Sequence, residues 1–297
     1  MATLREIKRR VQSVKNIEKI TKAMKMVAAV KFRKAQENVL ASRPYCRQIS
    51  QIIKSLIPTV ENLDNELLEE REIKKLCVVV VTSDRGMAGS FNTNLIKEAQ
   101  AVIKEKYGDF YSNGNLFVTT VGKKAFDFFS KRNYELFAKY NGIFDRLEFM
   151  SARNMVNDII AGYKEKKYDK VILIYNEFKS VVQSKIIEEQ FLPIIDFKEL
   201  RKEENKANVN FIYEPSSKAL IDYLLPRHLN SQVWRVMLES YASEQAARMT
   251  AMESATSNAN ELIESLQLTY NKARQASITK ELLEVVSGAE ALKESSG

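Results

Sequence analysis

One segment of the sequence carries residues that could handle a phosphate group. Leu76-Cys77-Val78-Val79-Val80-Val81-Thr82 is a continuous apolar run, the pattern of a strand buried on both faces. Ser83-Asp84-Arg85-Gly86-Met87-Ala88-Gly89-Ser90 follows as a turn, ahead of a helical pattern over roughly residues 93–106. In a dinucleotide fold, a turn at this place cradles phosphate at a helix N-terminus. The glycines do not fit that use. Only Gly86 and Gly89 are present, three apart, where the fingerprint needs G-x-G-x-x-G, and Gly-Lys-Ser/Thr occurs nowhere. The plainer reading is a tight strand-to-helix turn with a surface that touches a partner.

Other chemistries have less to work with. His228 is the single histidine, and it falls in a predicted long helix, so a serine or cysteine nucleophile has no placed base. Cys46 and Cys77 form neither a metal spacing nor a disulfide framework. Glu188 and Glu189 read as edge-strand or surface charges. No catalytic residue, no metal ligand and no cofactor is therefore assigned.

The elements that must position these residues follow from composition and period. The chain has 297 residues, 45% of them apolar, which allows about two domains. Nine glycines and five prolines are few, favouring long regular elements over an all-β fold. No apolar run reaches 18 residues, so no membrane-spanning helix is expected, and the charged start Met1–Arg5 does not read as a signal peptide. Of the net charge of +8, residues 1–57 hold fourteen Lys/Arg against three acids, or +11, leaving −3 for the rest. A basic segment of this kind meets nucleic acid, anionic lipid or an acidic protein. Without interleaved aromatics, and with lysines around several helix faces, it is a poor nucleic-acid surface.

The same segment has a helical period. Leu4, Ile7, Val11, Val14, Ile17, Ile20, Met24 and Val27 recur at steps of three or four. After Pro44, which interrupts helical hydrogen bonding, the stripe resumes with Tyr45, Ile49, Ile52 and Leu56. A helix of this length spans roughly 80 Å and needs a partner along it. The C-terminal stretch supplies one, with Ala242, Ala246, Met249, Met252, Ala255, Ala259, Leu262, Leu266, Ala273 and Ala276 as its seam. Small seam residues let two helices approach closely, as an antiparallel, left-handed coiled coil.

Between the helices, strands at 76–82, 116–121 and 171–175 alternate with helices at 93–106, 123–131 and 151–166, the last capped by Ser151. Residues 181–189 read as an edge or hairpin strand. The fold class is α/β: a Rossmann-like, doubly wound, mostly parallel sheet plus the long coiled coil. The expected domains are an N-terminal coiled-coil helix (1–57), a linker (58–75), the α/β domain (76–197), a charged loop and foot segment (198–215) and a C-terminal coiled-coil helix (216–297).

Three stretches give the sequence a family resemblance. They are Ile20–Gln36 (ITKAMKMVAAVKFRKAQ), continuing to Ala41-Ser42-Arg43-Pro44-Tyr45; the turn Ser83–Asn92 (SDRGMAGSFN); and Ser243–Met249 (SEQAARM) with Tyr270–Ala291. The last fits the signature Ile-Thr-x-Glu-x-x-Glu-x-x-x-Gly-Ala-x-Ala from Ile278. Together, spread from start to end, they resemble the γ subunit of the F-type ATP synthase, of the bacterial type.

The resemblance implies a central rotor shaft in a proton-translocating complex, coupling rotation of the c-ring to conformational change in the catalytic β subunits. Its implied partners are the α and β subunits, the ε subunit and the c-ring, with no nucleic acid and only indirect membrane association. Nucleotides and Mg²⁺ belong to α and β, so the chain has no active site of its own. Met24, Ala88 and Arg248 are implied to lie near an acidic β loop, which gives the basic segment its partner. Arg274 and Gln275 are implied to meet a second β loop, with Thr279 and Glu281 in the same region. Phe211, Ile212 and Tyr213 are implied at the foot, near ε and the c-ring. Where many members carry Leu-Cys, this chain has Met87-Ala88. No insertion with paired cysteines occurs, so no thiol regulation is expected. The absence of a transit peptide points to the cytoplasmic face of a bacterial inner membrane. Two rival readings are a Rossmann-like enzyme with coiled-coil arms, which would bind nucleotide alone, and a basic coiled-coil nucleic-acid binder, whose affinity would fall with salt.

Overall fold

The computed structural model describes residues 3–60, 64–180, 184–194 and 213–294. Its elements in chain order are α1 (Leu4–Leu56), a 3-10 turn (Ile57–Thr59), β1 (Leu76–Val81), α2 (Phe91–Ser112), β2 (Leu116–Val121), α3 (Lys123–Phe129), β3 (Glu135–Tyr140), α4 (Phe149–Lys164), β4 (Lys170–Phe178), β5 (Ser184–Leu192) and α5 (Ser217–Glu294). They form two compact units. One is Ala28–Arg248; the other joins Met1–Val27 with Met249–Gly297.

The first unit is built on a five-stranded sheet of order β3-β2-β1-β4-β5. β1 pairs in parallel with β2 and β4, β2 in parallel with β3, and β5 returns antiparallel along β4. β1 reads as six consecutive apolar residues because both of its faces are covered and all six are buried. On one face Leu76, Val78 and Val80 pack with Leu95, Ala99 and Ile103 of α2 and with Ala125 and Phe129 of α3. On the other, Cys77, Val79 and Val81 share a core with Met155, Val156 and Ile159 of α4, Ile49, Ile53 and Leu56 of α1, and Leu225, Leu229 and Val233 of α5. The second half of α1 and the first half of α5 are thus core elements of the α/β body. Each such buried aliphatic side chain contributes about 1.5–3 kcal/mol over its exposed state.

Two local expectations are corrected here. β3 was not foreseen, because at the sheet edge its residues are only half-buried and its pattern is weak. Ser151 does not cap α4. The helix starts at Phe149, after an extended Glu148, and Ser151 lies inside it.

In the second unit, Thr3 and Glu6 cap the start of α1 reciprocally: Thr3 N donates to Glu6 Oε2 (2.9 Å) and Glu6 N to Thr3 Oγ1 (3.3 Å). Thr21 and Thr256 share a hydroxyl hydrogen bond of 2.8 Å, and Lys25 pairs with Glu253 at 2.6 Å. Moving forward on α1 therefore means moving back on α5, which makes the pair antiparallel.

The seam on α1 differs from the predicted stripe. Ile7 and Thr21 are buried, with Val11, Val14, Glu18 and Lys25 half-buried between and beside them, whereas Ile17 (52% exposed), Ile20 (59%) and Val27 (56%) lie outside. A seam that stays on the partner keeps a seven-residue repeat, and steps of three in succession drift off it. Leu262 leaves the α5 seam for the same reason, while Met252 and Ala259 hold it.

Candidate functional site

The turn after β1 lies where the strand order reverses, between the carboxyl ends of β1 and β4. That is the place where an open α/β sheet binds its ligand. On its β2 and β3 side the turn is tied down by the chain itself. Asp84 Oδ1 accepts from the backbone N–H of Lys123 (3.0 Å) and Gly142 (2.7 Å), and Oδ2 from that of Phe144 (3.0 Å). Backbone donors that would suit a phosphate are held by the protein's own carboxylate. Thr82 Oγ1 accepts from Ala125 N at 2.8 Å, and Asn92 Oδ1 accepts from Ser83 N at 3.0 Å. Gly122 closes the arrangement at φ +88°, where an added Cβ would sit 2.3 Å from Thr82 O. Only a residue without a side chain allows that approach.

α5 seals the turn from outside the sheet. Arg248 donates to Gly86 O (3.1 Å) and pairs with Glu244 at 2.6 Å, both side chains being nearly buried. Burial raises the Glu244 carboxyl above its usual range, and the Arg248 guanidinium opposes that rise. Arg85 is tied to Asp145 at 2.7 Å, and the Phe144 ring stacks on Tyr241 with 6.1 Å between centroids. Phe178, at the end of β4, packs with Phe32, Ala35 and Val39 of α1 and Leu238, Ala242 and Ala246 of α5. The crevice is occupied by two helices of the same chain.

The residues expected at partner contacts fall into four groups. Arg248 and the turn bearing Ala88 are brought together, but both are largely internal. Ala88 is 1% exposed, and its neighbour Met87, at φ +60°, presents its side chain at 64% exposure. Met24 is half-buried in the other unit, beside the Lys25–Glu253 pair. Arg274, Gln275, Thr279 and Glu281 are all exposed on α5. There Thr279 Oγ1 donates to Gln275 O (3.0 Å), and Glu281 Oε1 accepts from Ser277 Oγ (3.2 Å). Tyr213 packs partly against the main core, while Phe211 and Ile212 lie outside the described residues. Asp84 and Glu244 escaped sequence reasoning as functional residues. The four-residue spacing of Glu244 and Arg248 was the available signal.

Of the two cysteines, Cys77 is buried on β1 with its thiol pushed up to about 12 by burial, and burial also raises Cys46. Neither is set up as a thiolate. Among the described residues no group of three His, Cys, Asp or Glu is placed to hold a metal ion, and no helix is long and apolar enough to cross a membrane.

Within the first unit, two long helices pack into the crevice of an α/β sheet. Solved structures share this fold. The central stalk and c-ring structure of the Tetrahymena thermophila mitochondrial ATP synthase contains a chain that matches with a TM-score of 0.61 at 26% identity, over 80% of this chain and 99% of that one. A chain of the Euglena gracilis mitochondrial enzyme matches in fold, with a TM-score of 0.66 at 22% identity over 97% and 94%. The ATP synthase family matches residues 3–292. The ATP synthase gamma chain of Chloroherpeton thalassium is 49% identical over 99% of this chain and 100% of its own length, and that of Chlorobaculum parvum 48% over the same shares. The chain belongs to the ATP synthase gamma-chain family.

Proposed function

We propose that the chain is the central rotor shaft of a bacterial proton-translocating ATP synthase. It turns inside a ring of α and β subunits, catalyses no reaction itself, and carries ε and the c-ring at its foot. It is peripheral, on the cytoplasmic face of the inner membrane. The observation that carries this reading is the far end of α5. The antiparallel register brings Leu4, where α1 begins, level with about Ala273, and beyond Ser277 every described side chain is exposed. Ile278 (47%), Leu282 (61%), Leu283 (62%), Val285 (70%) and Val286 (56%) are among them. A lone helix with this much open apolar surface suits a surrounding protein sleeve.

The other end supports the same role. α1 and α5 share one core with the sheet, so torque applied to the α/β body acts on the helices directly. The basic α1 suits acidic loops of the sleeve. Met24, Arg248 and the turn at Ala88 serve the lower β contact. Arg274, Gln275, Thr279 and Glu281 serve the upper one, and Phe211, Ile212 and Tyr213 the foot.

The test is reconstitution of the full chain with α and β subunits, reading complex size and ATP hydrolysis. One copy per ring, with hydrolysis well above that of α and β alone, is the expected result. A chain that leaves the ring unassembled and instead binds nucleotide by itself would overturn the reading.

A further inference from the structure

On the α4 side of the α/β body, α1, α4 and α5 leave an open cleft of about 440 Å³ between them, a volume typical of binding clefts. Tyr45 (52% exposed), Phe149 (44%) and Tyr223 (56%) form its aromatic lining. Arg153 and Arg227 supply its charge, and neither has a carboxylate partner among the described residues. Arg227 lies over the Tyr223 ring at 4.2 Å, which holds its guanidinium in place. The one carboxylate in the lining, Asp222, is engaged by Asn65 Nδ2 at 2.7 Å. Asn230, 8% exposed, also lines the cleft, and its Oδ1 has no hydrogen-bond partner among the described residues. Two guanidinium groups without a carboxylate partner among the described residues and three exposed aromatic rings therefore line one space.

We propose that this cleft docks an acidic segment of a partner polypeptide. A carboxylate sits between Arg153 and Arg227, and an apolar neighbour lies on Tyr45, Phe149 and Tyr223. Tyrosine and arginine in a desolvated pocket are the composition of binding hot spots. A free anion would use the guanidinium pair but leave the aromatic wall idle. The inference rests on the shaft reading only in taking the partner to be another chain of the same assembly.

The experiment places the photo-cross-linker p-benzoylphenylalanine at Tyr223 of the full chain, within assembled complexes already hydrolysing ATP. Irradiation should yield one partner peptide with an aspartate or glutamate close to the attachment point. Arg153→Glu with Arg227→Glu should cut the yield about tenfold, as expected for a reversed charge pair. If that double variant unfolds, Arg153→Ala at an exposed position should still cut it about threefold. Three results would overturn the proposal: no polypeptide cross-link, attachment to a segment without an acid, or a yield indifferent to these substitutions. Because the complexes are active beforehand, any of them leaves the shaft reading standing.

Discussion

The turn at residues 83–90 and the far end of α5 were both expected to touch partners, and they are built in opposite ways. Around the turn, polar groups are consumed internally. Asp84 takes three backbone donors, and Arg248 is shared between Glu244 and the Gly86 carbonyl. On α5 beyond Ser277, side chains stand exposed. A residue in the first region acts mainly by holding the chain's own geometry, so changing it costs stability. A residue in the second costs almost nothing to change in the free chain, so a contact role for it is to be read in a complex.

The sharpest test of that contrast is Arg248→Ala. It strands the Glu244 carboxylate, which is 4% exposed, and removes the donor to Gly86 O. Breaking a buried pair on one side costs about 3 kcal/mol, read as a lower urea midpoint of the full chain. Adding Glu244→Gln should restore much of the loss by removing the orphan charge. An Arg248→Ala chain that unfolds like the wild type would erase the distinction between brace and open contact.

A second test lies within the braced region. Glu239, 3% exposed, faces Arg235 at 3.8 Å and Arg43 at 4.0 Å, and its Oε2 has no hydrogen-bond partner among the described residues. Burial raises its pKa, Arg235 and Arg43 oppose the rise, and Glu177 and Glu189 add to it. The folded state thus holds this proton more tightly than the unfolded state. The group's contribution is full below its unfolded pKa and is lost as pH rises through the folded one. Glu239→Gln stays neutral throughout, and Arg235 keeps its pairing with Glu189 at 3.0 Å. The variant should therefore be more stable than wild type at neutral pH by about 1 kcal/mol, with the gap closing in acid. A gap that instead widens in acid would mean Glu239 is a net stabilising ion.

How much of this was legible in the sequence depended on burial. β1, buried on both faces, announced itself as an apolar run. β3, at an edge and half-buried, did not. The two long helices were legible from period, yet the α1 seam was misplaced at Ile17, Ile20 and Val27, because an exposed apolar residue at helical spacing looks like one facing a partner helix. The structure separates the two, since Thr21 takes the seam and is satisfied by Thr256. The turn was legible as a turn. Its internal bracing was not, because Asp84 reaches donors at Lys123, Gly142 and Phe144 that no local spacing connects.

The smallest expected effect on stability comes from Arg274→Ala with Gln275→Ala. Both side chains are exposed and belong to a part of α5 where only Ala273 and Ser277 are half-buried, so surface substitution should shift the unfolding midpoint by no more than about 0.5 kcal/mol. Alanine is also the best helix former, which offsets any lost side-chain contact along α5. In the reconstituted complex the same pair should lower ATP turnover or coupling while the complex still assembles. Stability and turnover are therefore measured on the same preparation. Normal turnover would remove these two residues from the contact, whereas a large loss of stability would show that this part of α5 is braced as the turn is.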